Sequence, residues 1–333
     1  MLAIGLLVSS TPLPAQDTEG YRAYLDTVAV RARAEGVSQA TIDAVLPGLS
    51  FNESVAALDR RFAPTPLDAP IPPFAPYKAS HVDAGKIRNG QRVYRAEIGH
   101  LSEIERTTGV PASIIVAIFG HETNYGTITG NSDLPDALAT LAYEGRRRAL
   151  FEGELIAALK IIDSGIPRSV LRGSFAGAFG YSQFLPSVYL RLAQDGDGDG
   201  RAEIWASQAD AFASIANYFV QAGWRPGVPW GISVAVPSTL DRASVANRTV
   251  PPRCPRVFER HSRWLTMAEW RKLGILPLAG AWPADDVLAT LLEPDGPGEA
   301  GYLLTSNYRA ILDYNCSNFY ALSVGILADE IRR

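Results

Sequence analysis

Three stretches of this chain hold residues whose types and spacing could do chemistry. The first is Ile114 to Tyr125, IIVAIFGHETNY, with Glu122 near its end. Seven of its first eight positions are apolar or Gly, which with Pro111 just upstream predicts a buried helix, since Pro suits a first helical turn. Glu122 leaves that helix among Thr, Asn, Tyr and Gly, where core meets solvent. Partial desolvation there raises a carboxyl's pKa and keeps it protonated near neutrality, as a general acid requires. A carboxylate at a helix end also serves as a cap or an ion-pair partner, and this segment alone fits both roles.

The second stretch is Gly173 to Pro186, GSFAGAFGYSQFLP, where glycines and alanines interleave with Phe175, Phe179, Tyr181 and Phe184. Flat apolar faces bordered by Ser174, Ser182 and Gln183 suit a sugar ring, which stacks through its C–H face and hydrogen-bonds through its hydroxyl and acetamido groups. A tight packing turn with the aromatics in the core fits equally well. The third stretch is Asp195, Asp197 and Asp199 followed by Gly200, the opening of an EF-hand-like loop whose carboxylates converge on a hard cation. Position 12 of that loop is Ala206 where a bidentate Glu is usual; Glu203 or Asp210 could supply the missing oxygen. A solvated acidic turn is the competing reading.

The elements that must position these residues are mostly helical. Gly20 to Gly36 is amphipathic, with Tyr21, Tyr24, Leu25, Val28 and Ala32 on one stripe. A short helix follows, opened by Ser38 and stopped at Pro47-Gly48. Six prolines between Ala63 and Pro76 read as an extended strap. Val82 to Thr108, Ala137 to Tyr143, Arg148 to Ser164 and Ala209 to Ala222 carry helical periodicity, the third with Leu150, Phe151, Leu155, Ala158 and Ile162 toward the core. Arg146 to Arg148 form a small basic cluster that reads as a solvated face. Gly231 to Val236 and Tyr302 to Leu312 are the strand candidates, with Thr266 to Leu273 a short helix between them, and Phe319 to Arg332 closes the chain as a helix.

Composition excludes several classes. Among 333 residues, 47% are hydrophobic and 20% charged, which describes a folded chain with a sizeable core. The net charge of −4, without a basic run, nominates no nucleic-acid partner. Met1 to Val8 and Ser9 to Ala15 resemble the apolar and cleavage parts of a secretory signal, without its basic leader. No stretch is long enough to span a bilayer, and no Cys near the cleavage region supports a lipid anchor. Cys254 and Cys316 permit one disulfide in an exported protein, or two separate buried thiols.

Taken together and in order, these segments resemble the lytic murein transglycosylases of the membrane-bound type B kind. The resemblance rests on GHETNYG (Gly120 to Gly126), DALATLAY (Asp136 to Tyr143), GSFAGAFGYSQFLPSVY (Gly173 to Tyr189), DGDGDG followed by IW (Asp195 to Trp205), SIANYF (Ser214 to Phe219) and YNCSNFYALSV (Tyr314 to Val324). It covers roughly Pro76 to Arg332. It implies cleavage of the β-1,4 bond between N-acetylmuramic acid and N-acetylglucosamine in peptidoglycan strands, with a 1,6-anhydro ring formed on muramic acid. Glu122 would act as acid and then as base, and no other carboxylate stands in Gly120 to Gly126 or Gly173 to Tyr189.

The resemblance further implies that Ser174, Gln183 and Tyr181 contact sugar and that Tyr218, Tyr314, Asn315 and Tyr320 line the cleft. Asp195, Asp197, Asp199, the Arg201 carbonyl and Asp210 would hold a structural calcium, with no cofactor needed for the chemistry. Cell-wall synthesis proteins are further partners to expect, in the periplasm, for a soluble, non-lipidated form. His121, directly before Glu122, would add a group that titrates near neutral pH. A hydrolytic muramidase and a non-catalytic peptidoglycan-binding scaffold are the alternative functions.

The implied fold is α+β and mostly α: a lysozyme-like core with a helical N-terminal lobe and a small β-containing lobe. Its expected parts are a signal peptide at 1–16, the helical lobe and strap at 17–78, and the catalytic core with its calcium-type loop at 79–226. The β-containing lobe at 227–313 and a returning C-terminal helix at 314–333 complete it.

Overall fold

The computed structural model describes residues 18–61, 70–249 and 251–333. The expected signal peptide and the first prolines of the strap lie outside these residues. The helices in chain order begin with α1 (Thr18–Ala34), α2 (Gln39–Val45), α3 (Glu53–Arg61), α4 (Phe74–His81) and α5 (Ala84–Ala96). They continue with α6 (Ile98–Thr108), α7 (Ala112–Thr123), α8 (Leu134–Glu144), α9 (Arg148–Asp163) and α10 (Pro186–Leu192). Then follow α11 (Gln208–Gln221), α12 (Pro255–Phe258), α13 (Met267–Lys272), α14 (Ser306–Tyr314) and α15 (Asn318–Arg332). Strands β1 (Ser132–Asp133) and β2 (Arg172–Gly173) form a two-stranded ladder. Strands β3 (Gly231–Ala235), β4 (Leu265–Thr266), β5 (Leu276–Pro277), β6 (Leu288–Leu292) and β7 (Gly301–Leu304) form an antiparallel sheet in the order β4-β6-β7-β3-β5. The fold is α+β and mostly helical, with one small sheet.

The described residues divide into two compact units that are each discontinuous in sequence. The first comprises 18–61, Gly130–Ala178 and Leu185–Leu190. In it α8 packs along α9, and α1, α2 and α3 pack onto that pair. The predicted stripe of α1 is buried, and the Tyr21 and Tyr24 rings meet Tyr143 at 5.3 and 5.6 Å. The basic cluster is not merely solvated: Arg146 and Arg147 both pair with the buried Asp59, and Arg148 donates to the Tyr143 carbonyl. Leu150 is exposed against expectation. It stands one position, about 100° of helical turn, off the stripe set by Phe151, Leu155 and Ala158.

The second unit comprises 70–129, Phe179–Phe184 and Arg191–Arg333. Its centre is α7, which buries ten of its twelve residues because it is apolar all round. Helices α5, α6, α11 and α15 pack around it. Close packing depends on Gly120, where a Cβ would stand 2.6 Å from the Tyr125 ring. The sheet covers a second core built from Val234, Leu265, Trp270, Leu291 and Leu303. A disulfide joins Cys254 and Cys316, with Cα atoms 5.6 Å apart, which decides between the two readings of the cysteines.

Four local expectations need correction. The helical pattern from Val82 to Thr108 is two helices, broken at Glu97. The strap ends earlier than its prolines suggest: Pro73 caps α4, and Pro76 sits in its first turn, where a missing N–H costs nothing. Tyr302 to Leu312 is a strand only through Leu304; the Thr305 hydroxyl then accepts from Asn307 N at 3.1 Å and starts α14. A central strand, β6, was not expected, because LATLL is short and reads equally as buried helix.

Candidate active site

The site is built at the end of α7. Asn124 (φ 49°) and Tyr125 (φ 59°) take left-handed conformations in succession and stop the helix one turn after Gly120. Tyr125 folds back along α7 and donates its hydroxyl to the Lys86 carbonyl at 2.7 Å, tying this end to α5. Thr123 donates to the Phe119 carbonyl at 3.1 Å and accepts from Gly126 N at 3.0 Å. Glu122 is thus fixed in the last turn of a buried helix, and the residue keeps only partial exposure.

Burial pushes the Glu122 carboxyl up to about 7. The negative end of the α7 dipole acts in the same direction. Two groups oppose it. Tyr320, in the first turn of α15, donates its hydroxyl to Glu122 Oε1, and the Lys86 ammonium favours the ionised form. Tyr320 is itself buried, its N–H accepted by the Ser317 N-cap hydroxyl at 3.3 Å. At neutral pH Glu122 therefore stands near the balance between acid and carboxylate.

His121 does not titrate near neutrality as expected. Burial and the neighbouring Lys86 press its imidazole down to about 3, and its Nε2 has no hydrogen-bond partner among the described residues. Its ring lies 5.5 Å from Tyr320 and 6.1 Å from His81, which stacks on Tyr77 at 3.8 Å. The Tyr77, His81, His121 and Tyr320 rings thus form a continuous row that ends at the carboxyl through Tyr320. Lys86, Tyr77 and His81 escaped the sequence reading. They come from α4 and α5, and their spacing carries no chemical pattern.

The Gly-rich stretch is in part the packing turn of the second reading. Phe179 and Phe184 are buried and pair as an antiparallel bridge, their N–H groups accepted at 2.9 and 3.1 Å, so their faces belong to packing. Between them Gly180 (φ 69°) brings the backbone against Ile204, where a Cβ would stand 2.8 Å away. Tyr181, half-buried, sets its ring edge-on to Phe119 at 5.7 Å. Gln183 (φ 50°) donates its amide to the carbonyls of Gly180 at 2.9 Å and Thr129 at 3.1 Å. Tyr314 donates to the Ser182 carbonyl at 2.5 Å and Tyr218 to the Asp313 carbonyl at 2.6 Å, with their rings 4.7 Å apart. Asn315 ends α14 and is exposed. Ser174 belongs to the first unit, where its hydroxyl accepts from Ala178 N at 3.0 Å.

The acidic loop brings together Asp195, Asp197 and Asp210, with carboxylate oxygens within 4.8 Å of one another. That spacing fits oxygens around a single calcium ion, whose ligands lie about 2.3–2.6 Å from the metal. Asp210, buried at the start of α11, accepts from Gly196 N at 2.8 Å and Glu203 N at 2.6 Å. Asp195 accepts from Gly198 and Gly200, and Asp197 from the Ser207 hydroxyl. Burial raises Asp210, and the nearby Asp197 charge raises it further. Asp199 lies outside this trio and accepts from Arg201 N at 2.8 Å. Arg201 directs its guanidinium at Glu203, so only its carbonyl is left for a metal.

The mostly helical fold is that of solved lytic transglycosylases, which are lysozyme-like. The family described as Transglycosylase SLT domain matches residues 20–329, and the chain belongs to it, as a lytic murein transglycosylase of the B type, a lyase acting on peptidoglycan. It is 31% identical over 303 residues to the Escherichia coli protein named membrane-bound lytic murein transglycosylase B, covering 89% of this chain and 79% of that one. SltB3 of Pseudomonas aeruginosa, solved with NAG-anhNAM-pentapeptide, is 36% identical with a TM-score of 0.83, covering 94% of this chain and 79% of that one. The Escherichia coli transglycosylase Slt35, solved in complex with calcium, is 27% identical with a TM-score of 0.73, covering 94% of this chain and 92% of that one. No helix among the described residues is long and apolar enough to cross a membrane.

Proposed function

We propose that this enzyme cleaves the β-1,4 bond between N-acetylmuramic acid and N-acetylglucosamine by intramolecular attack, leaving a 1,6-anhydro ring on the muramoyl product. The observation that carries this reading is the single Glu122 carboxyl, buried to a value of about 7 and hydrogen-bonded by Tyr320. Glu122 gives its proton to the glycosidic oxygen as the C1–O bond breaks, and the N-acetylglucosamine hydroxyl departs. The carboxylate so formed takes the proton of the muramoyl 6-hydroxyl as that oxygen bonds to C1. The proton count closes on Glu122, and no water is consumed. A group poised near neutrality both gives and takes a proton at little cost, which suits one residue in two roles.

Glycosidases of the usual kind divide those roles between two carboxylates. Here the substrate's acetamido group stabilises the intermediate, and Lys86 and Tyr320 stabilise the transient Glu122 carboxylate. Tyr181, Gln183, Tyr218, Tyr314, Asn315 and Tyr320 contribute the sugar-binding surface in the second unit. Asp195, Asp197 and Asp210 hold a structural calcium, joined by further oxygens of the loop. The setting is the periplasm, after export.

The test is mass spectrometry of products released from purified peptidoglycan. Anhydro-ended muropeptides, lighter by one water than their hydrolytic counterparts, are expected. Reducing ends would make the enzyme a hydrolytic muramidase, and the absence of any product would make it a scaffold.

A further inference from the structure

A cavity of about 450 Å³ opens in the second unit and is lined by Arg225, Arg309, Trp264, Asp286, Leu288 and Ser306, among others. Arg309 is half-buried, with its guanidinium 4.0 Å over the Phe258 ring and 5.9 Å from Trp264. Stacking fixes the plane of that group but satisfies none of its N–H donors. Arg225 is exposed; its backbone is held by Asn307, and no described residue accepts a hydrogen bond from its guanidinium. Ser306 is the first residue of α14, so the positive end of that helix adds to the same cavity. Asp286 in the lining and Asp313, whose charge acts on Arg309, offset part of this positive charge, while the Arg225 guanidinium has no carboxylate partner among the described residues. Trp264 and the exposed Leu288 supply apolar surface beside the cations.

We propose that this cavity binds the free carboxylate end of a short peptide, paired with Arg225 and Arg309, its terminal apolar side chain lying on Trp264 and Leu288. Planar, unsatisfied guanidiniums match a carboxylate in geometry and charge. A phosphate would leave the apolar wall unused, and a neutral sugar would leave both cations unpaired. Tyr314 stands at the other end of α14, roughly 12 Å along the helix axis from Ser306. The carboxylate can come from the peptide of the glycan substrate or from a free peptide. The first source rests on the function proposed above.

Calorimetric titration of the whole protein with N-acetyl-alanyl-alanine, in L and D forms, and with the corresponding C-terminal amides tests the site. The acid is expected to bind and the amide to bind at least about tenfold more weakly. Arg309→Gln and the exposed Arg225→Gln should each weaken the acid about tenfold. Glu122→Gln should leave this binding unchanged, so failure of glycan cleavage and failure of this site are read separately. Equal binding of acid and amide, no binding at millimolar peptide, or full binding by Arg225→Gln would overturn the proposal. A KM raised by Arg309→Gln on peptide-bearing glycan but not on peptide-stripped glycan assigns the peptide to the substrate. An unchanged KM on both, with the peptide affinity lost, assigns the site to free peptides.

Discussion

The second unit contains two acidic regions that solve opposite problems. At Glu122 one carboxyl is buried with a single hydroxyl donor, and burial outweighs that donor, so the group holds its proton up to about 7. In the loop, Asp195 accepts two backbone N–H groups and is held below the usual carboxylate range, although Asp197 lies close by. Backbone donors keep a carboxylate ionised; apolar surroundings keep it protonated. The first arrangement gathers charge that a cation can neutralise, and the second stores a proton. Acidic character alone does not separate them; the balance of N–H donors against burial does, and Asp210, buried with two donors and still raised, lies between the two.

The largest effect should break this comparison on the catalytic side. Glu122→Gln removes the carboxyl proposed to carry the proton and should lower turnover by about a thousandfold or more, measured as muropeptide release. On the loop side, Asp210→Ala strands two backbone N–H groups and should cost about 3 kcal/mol of stability by denaturant unfolding. Catalysis by the folded fraction should survive. Calcium should raise the melting temperature, equivalent to about 2.7 kcal/mol at a hundredfold excess over Kd, and EDTA should reverse it. The Asp210→Ala variant should lose most of that response.

Glu122 also couples stability to pH. Its folded value of about 7 lies above its ordinary 4.5. The folded state therefore binds this proton more tightly, and stability falls as pH rises from about 4.5 through 7. Glu122→Gln should accordingly melt above the parent at pH 8, by about 2 kcal/mol after allowance for partial exposure, and the two should converge below pH 4. The smallest effect belongs to Tyr320→Phe. It removes a donor that favours the carboxylate, so the alkaline limb of kcat/KM should move to higher pH, by up to about one unit.

How much of this was legible follows from where each residue's role is decided. Glu122 and the Asp195 loop are written locally: an apolar run ending in Glu, and alternating Asp ending in Gly. Asp210 was legible only as a loose supplement, because its carboxylate reaches the loop across the start of α11. Lys86 and His81 act on the site through packing of α4 and α5 on the unit's core, which no local spacing encodes. His121 misled because a His beside a candidate catalytic carboxyl suggests titration, whereas its ring is buried and beside Lys86. The helical scaffold was largely readable, since amphipathic periodicity survives tertiary context. The sheet was not: β6 is short and apolar, and β7 runs into α14 through a Thr cap hidden in an apolar run.

The account turns on a single carboxyl that still holds its proton as the pH approaches neutrality, because it is buried. Its titration is the most direct test, by carbon-13 NMR of protein labelled at glutamate side-chain carboxyls, with Glu122→Gln identifying the resonance. A midpoint near 7, moving upward in Tyr320→Phe, is the predicted result. A midpoint near the ordinary 4.5 would contradict it, because the carboxyl would then be ionised at neutral pH and could not be the resting acid.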